Sequence, residues 1–238
     1  MHLDGGSSNY ILVDHPRYLV EYEPLPTPFA ATLGCSGPTA FSALKKSAPV
    51  DAQNRLLVIG AGGLGLAATG LARALYGVSP VVADVDAAKR QTALDAGASG
   101  VADPGDPGER ERLMKEIGGA SSVIDFVGAE SSAAIGLSVP RKGGRMFVVG
   151  LFGGSIAIPL ATLPLRAISI GGVATGTLDE SREFMAFARE GKCEARADRD
   201  KAAAGGATIA RRSPRRTNSR PRGSRSMRHR GRRNCSGG

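Results

Sequence analysis

Tryptophan is absent from the 238-residue chain and aromatic residues make up only 5% of it, so interleaved aromatic and basic platforms for stacking nucleic-acid bases are missing. Three cysteines, Cys35, Cys193 and Cys235, lie too far apart in sequence for a CxxC metal knuckle and do not form a disulfide framework. That usage suits a reducing cytoplasm. The N-terminal stretch MHLDGGSSNY lacks a basic segment followed by an apolar run, and nothing approaches the roughly 18 uncharged apolar residues of a membrane span. The expectation is a soluble, cytoplasmic chain with no membrane partner.

What is present points to one fold class. Hydrophobic residues reach 42% and there are 33 glycines, a mixture suited to an α/β protein with many tight strand-to-helix turns. The length allows one large domain with a substantial core. The net charge of +9 is unevenly placed: between Arg196 and Gly238 stand thirteen arginines and one lysine against only Asp198 and Asp200. The remaining part of the chain is therefore mildly acidic, and the high isoelectric point belongs to its C-terminal segment.

Residues 1–34 contain two short strand-like pieces, Tyr10–Val13 and Tyr18–Val20, separated by His15-Pro16 and followed by a proline-rich stretch. A helix is expected over Ser36–Ser47, with Lys45 and Lys46 at the end where cations favour the helix dipole. Leu56–Ile59 is a continuous apolar run, as in a strand buried on both faces. Leu64, Ala68, Leu71 and Leu75 then recur at helical spacing, with Gly77 as the left-handed stop. Further strands are expected at Val81–Ala83, near Ser99–Val101, at Val123–Val127, Gly144–Val149 and Ala167–Ile170. Helices are expected at Ala87–Ala96, Pro107–Ile117, Ser131–Ser138 and Asp179–Glu190. Strands alternating with helices imply right-handed crossovers and a doubly wound parallel sheet, and six strands make the complete Rossmann fold.

Gly60-Ala61-Gly62-Gly63-Leu64-Gly65 satisfies G-x-G-x-x-G between a buried strand and an amphipathic helix. Gly60 serves the tight turn, Gly62 lets backbone approach a pyrophosphate, and Gly65 permits close helix–strand packing. The helix start offers unpaired N–H groups to the phosphates. Asp84 closes the next strand nineteen residues after Gly65, where a carboxylate binds the adenosine ribose hydroxyls. It would repel a 2′-phosphate and no arginine follows immediately, so NAD is expected rather than NADP. The competing reading is an unrelated glycine-rich turn, with Asp84 only capping the following helix.

These residues, together with Leu33-Gly34-Cys35-Ser36-Gly37-Pro38-Thr39-Ala40, Asp84-Val85-Asp86 with Lys89, Asp95-Ala96-Gly97-Ala98 and Val148-Val149-Gly150, resemble the medium-chain dehydrogenase/reductase family, specifically its zinc-type alcohol dehydrogenases. The likeness runs from about Gly5 to Lys192. It implies that Asp84 and Lys89 hold the adenosine ribose and that Leu64 packs beside the cofactor. Thr39, Val149, Gly150 and Val173-Ala174 would border the nicotinamide, and Cys35 takes the place of one catalytic-zinc ligand. In the family that zinc activates an alcohol for hydride loss, giving an aldehyde or ketone. The other zinc ligands and the proton-relay hydroxyl have no counterpart in residues 1–34, where His15 is the only candidate partner for Cys35. No catalytic residue is assigned, and low turnover is expected.

The organisation expected is a remnant of a β-rich catalytic domain over 1–34, an NAD-binding Rossmann domain over 35–192 and an Arg-rich disordered tail over 193–238. The tail has three readings: a translated frameshift, a basic arm binding nucleic acid without sequence preference, or an inert solvated extension. The first is preferred, so nucleic acid is not an expected partner, although a non-catalytic NAD-binding protein with a nucleic-acid-binding tail is the alternative function. By resemblance, Ala167–Ile170 and the loop after it could form a homodimer edge.

Overall fold

The computed structural model describes residues 10–50, 55–117 and 119–191. The expected Arg-rich tail, with its frameshift and nucleic-acid readings, and residues 1–9 of the expected remnant lie outside the described residues.

The short central strands follow from the apolar runs. β1 (Leu56–Ile59), β2 (Val81–Ala83), β3 (Gly100–Ala102), β4 (Ala120–Asp125), β5 (Pro140–Val148) and β6 (Ser169–Gly172) form one sheet in the order β3-β2-β1-β4-β5-β6. Every pairing is parallel, with Ile59 beside Ala83 on one side and Asp125 on the other. Parallel neighbours require crossover connections, and these are α3 (Gly63–Tyr76), α4 (Ala87–Asp95), α5 (Pro107–Ile117), α6 (Glu130–Ser138) and the segment holding α7 (Thr162–Arg166). α1 (Thr27–Leu33) and α2 (Ser36–Ser47) precede the sheet, and α8 (Leu178–Arg189) closes it. The strand order reverses between β1 and β4, so a crevice opens beyond the carboxyl ends of the central strands, the place where such sheets bind ligands.

Strand alternation divides the core in two. Leu56 and Val58 join Phe41, Leu44, Leu71, Ala72, Ile124 and Phe184 on one face, under α2, α3 and α8. Leu57 and Ile59 join Leu113, Val123, Ala133 and Met146 on the other, under α5 and α6. Both faces of β1 are thus covered, which is why its sequence is an unbroken apolar run. α2 is anchored by Ser122, whose hydroxyl donates to the Ser47 carbonyl at 2.7 Å, and by the Arg145 guanidinium on the Ala48 carbonyl. α8 begins with a reciprocal cap in which Glu180 N–H meets the Thr177 hydroxyl and Thr177 N–H meets the Glu180 carboxylate.

The strand-like pieces expected at Tyr10–Val13 and Tyr18–Val20 are not strands, and no strand lies within residues 10–34. A strand needs a neighbouring strand alongside it, and among the described residues no strand of the sheet pairs with either segment: Tyr10 is 92% and Leu12 84% exposed. Pro16–Tyr18 instead form a 3-10 turn capped by His15 Nδ1, which accepts the Arg17 N–H at 3.0 Å. The proline-rich stretch leads into α1, whose Pro28 sits in the first turn where its missing N–H costs nothing. The sixth strand starts two residues later than expected, because Ala167 is the left-handed end of α7 (φ 49°). The fourth ends at Asp125 rather than Val127, since the Asp125 carboxylate bends the backbone after it.

Phe184 is buried against Phe41, with ring centroids 5.7 Å apart, and a Cβ at Gly37 would collide with its ring. Phe184→Ala is expected to lower the unfolding free energy by about 3–5 kcal/mol, measured by urea denaturation followed by far-ultraviolet circular dichroism.

Candidate functional site

The turn from β1 to α3 is built from backbone. Gly60 adopts φ +95°, its N–H donates to the Ala83 carbonyl at 2.7 Å, and a Cβ there would come within 2.8 Å of Val127 Cγ2. Gly62 is the N-cap of α3, and its carbonyl accepts the Leu66 N–H at 2.9 Å. Gly65 lies directly over the strand end: a Cβ would sit 1.8 Å from the Gly60 carbonyl oxygen. Cβ atoms at Gly62 and Gly63, by contrast, would meet nothing within 4 Å. The start of α3 at the exposed Gly62 and Gly63 thus carries no side chain and has none beside it where a Cβ would stand, next to a half-buried Leu64. An anion bound there meets N–H donors and the positive end of the helix dipole.

Asp84, after β2, is turned toward this loop. One carboxylate oxygen accepts the Ala61 N–H at 2.7 Å and the other accepts the Asp86 N–H at 2.9 Å. The helix-cap reading of Asp84 is thereby corrected: Asp86 performs that task, accepting Ala88 N–H at 2.8 Å and Lys89 N–H at 3.3 Å. Lys89 is exposed in the first turn of α4. Although no arginine follows Asp84 immediately in sequence, Arg90 Nη1 donates to the Asp84 carbonyl at 2.8 Å and to Asp103 Oδ2 at 2.9 Å.

The other wall comes from β4 and β5. Asp125 is fully buried; Oδ1 accepts Val127 N–H at 2.9 Å and Gly128 N–H at 3.0 Å, while Oδ2 accepts the Ser132 hydroxyl at 2.8 Å. Its own carbonyl receives the Val149 and Gly150 N–H groups at 2.8 and 3.1 Å. Gly128 (φ +69°) and Gly150 then touch backbone to backbone, since a Cβ on Gly128 would stand 1.9 Å from the Gly150 oxygen. Val149 is buried and Ala174, beyond β6, is exposed. Thr39 is buried in α2 and its hydroxyl donates to the Cys35 carbonyl at 2.7 Å.

Hydrogen bonds and contacts therefore join Asp84, the glycine loop, Val127, Val149 and Gly150 along the carboxyl edge of the sheet. They do not link Lys89 to Asp84, and they leave the Thr39 hydroxyl engaged within its own helix. Sequence reading passed over Asp125, Arg90 and Asp103. The first was legible as the acid ending Val123-Ile124-Asp125, in the same place that Asp84 holds after β2.

A family profile described as zinc-binding dehydrogenase matches residues 63–190. The chain belongs to that family. It is 34% identical over 192 residues to the NAD-dependent alcohol dehydrogenase of Sulfurisphaera tokodaii, covering 79% of this chain and 55% of that protein. Against the NAD-dependent alcohol dehydrogenase of Saccharolobus solfataricus it is 32% identical, covering 81% and 56%. The chain thus spans about half the length of these curated relatives. Among solved structures, the alcohol dehydrogenase of Aeropyrum pernix superposes with a TM-score of 0.62 at 27% identity, over 68% of this chain and 47% of that one. The D-arabinose dehydrogenase of Sulfolobus solfataricus gives 0.68 at 24% identity, covering 76% and 57%, and speaks for the fold.

For a zinc-binding dehydrogenase the metal donors decide what can be assigned. A catalytic zinc takes three protein ligands and keeps a fourth position open. Among the described residues no three His, Cys, Asp or Glu side chains form a group able to hold a metal. Cys35 is an exposed free thiol at the start of α2, and His15 is engaged in its own turn. These residues do not fit a catalytic zinc.

Asp125→Ala would strand the part-buried Val127 and Gly128 N–H groups and leave the Ser132 hydroxyl with only its Ala129 partners. The expected loss is at least ~2 kcal/mol of unfolding free energy, read from urea denaturation.

Proposed function

We propose that the chain is the NAD-binding part of an alcohol dehydrogenase-like oxidoreductase. The observation that carries the reading is the Asp84 carboxylate fixed by the Ala61 N–H beside the open start of α3. The diphosphate of NAD fits the N–H groups around Gly62, Gly63 and Leu64, where Gly62 and Gly63 leave the approach clear. The adenosine ribose diol fits the remaining lone pairs of Asp84, with Lys89 exposed nearby. Val149, Gly150, Thr39 and the Val173-Ala174 segment form the nicotinamide end of the cleft in this reading. The nicotinamide, when bound, supplies the hydride acceptor; the chain's own residues bind it, orient it and cover one side of it.

Alcohols are the substrate class favoured by the relatives, with aldehydes or ketones as products. The described residues supply coenzyme binding without the zinc ligand set, so zinc-dependent alcohol oxidation is not assigned to them. The wide cysteine spacing supports a reducing, cytoplasmic setting. No helix among the described residues is long and apolar enough to cross a membrane.

Titration calorimetry with NADH tests the reading. The full chain is expected to release heat on binding, and Asp84→Ala to weaken the affinity about tenfold or more, the value of a charge-assisted hydrogen bond. Absence of binding, or equal affinity in the variant, would falsify it.

A homodimer through β6 belongs to the same proposal. Among the described residues β6 pairs only with β5, leaving its outer edge open for backbone pairing. Ile170 on it is 39% exposed, and Leu165 just before it 75%. Light scattering should give twice the chain mass for the unsubstituted protein and the monomer mass for Ile170→Arg. Equal masses would remove the interface.

A further inference from the structure

We propose that Asp103 sets coenzyme choice by neutralising Arg90, a guanidinium placed to receive a 2′-phosphate on the adenosine ribose. The inference rests on reading the cleft as a dinucleotide site. Arg90 lies on α4, yet its Nη1 reaches back to the Asp84 carbonyl at 2.8 Å. That carbonyl and the Asp84 carboxylate belong to one residue, so the guanidinium is anchored on the backbone of the acid that would hold the ribose. Arg90 and Asp103 side chains are 21% and 26% exposed, so a ligand phosphate can approach without displacing a packed core.

Asp103 is held for this task. It follows β3, whose Ala102 is in register with Ala83 at the end of β2. Asp103 Oδ1 accepts the Gly105 N–H at 2.8 Å, and Oδ2 takes Arg90 Nη1 at 2.9 Å. The edge thus gathers three carboxylates, Asp84, Asp86 and Asp103, against Lys89 and Arg90. Asp86 is spent on its helix cap. A 2′-phosphate, with a charge of about −2, meets an acidic edge whose nearest guanidinium is already paired. Removing the Asp84 charge alone leaves Arg90 bound to Asp103. Removing both charges frees a planar donor fork suited to phosphate.

The test titrates NADH and NADPH separately into the full chain and into Asp84→Ser, Asp84→Ser/Asp103→Asn, and the latter with Arg90→Met added. Asparagine at 103 retains an acceptor for the Gly105 N–H, and thermal unfolding midpoints show that each variant is folded. NADPH affinity is expected to rise about tenfold or more from Asp84→Ser to the double variant. NADH affinity should change far less, and the NADPH gain should vanish with Arg90→Met. The proposal is overturned if the double variant binds NADPH no tighter than Asp84→Ser, or if the gain survives without Arg90. If the unsubstituted chain binds neither coenzyme, the dinucleotide reading itself falls and takes this one with it. NADH binding with no effect of Asp103 defeats the neutralisation alone.

Discussion

The hydrogen bond from Ala61 N–H to the Asp84 carboxylate is the constraint on which the cleft depends. It ties the turn after β1 to the end of β2, two strands adjacent in the sheet but separated in sequence by the whole of α3. A charge-assisted bond of this kind is worth about 1.5–3 kcal/mol, and it fixes where the acid points before any ligand arrives. A carboxylate has about four lone-pair sites; the Ala61 and Asp86 N–H groups use one on each oxygen. The remaining sites are not taken up by these two bonds.

That bond works only because the backbone beneath it is close-packed. Gly65 rests on the Gly60 carbonyl, and Gly60 on Val127, so the ends of β1 and β4 are in contact through the loop. Across β1 from Asp84, at the end of β4, Asp125 repeats the device with its carboxylate turned inward onto Val127, Gly128 and Ser132. The two acids stand on either side of β1 and do opposite things. Asp84, half-buried, keeps capacity for a ligand; Asp125, fully buried, spends its capacity on the turn that shapes the far wall.

Much of this was legible in the residues. The apolar runs at Leu56–Ile59 and Val81–Ala83, the glycine loop and Gly77 carried the strands, the crossover and its left-handed stop, because each is fixed by local sterics. Helix bounds at Ser36–Ser47 and Pro107–Ile117 agree with the structure for the same reason. The misses are non-local. Tyr10–Val13 has strand composition without a partner strand. Ala167 is a left-handed alanine, which no propensity announces. Arg90 is six residues past Asp84, yet one turn of α4 returns it to the same carbonyl. Asp103 enters only through the pairing of β2 with β3.

Gly128 and Gly150 meet with no side chain between them. At that crossing there is no rotamer to turn and no methyl to shift, so the loops after β4 and β5 behave as a single stiff ledge. A ring laid against that crossing meets peptide planes, with no side chain standing between the two glycines.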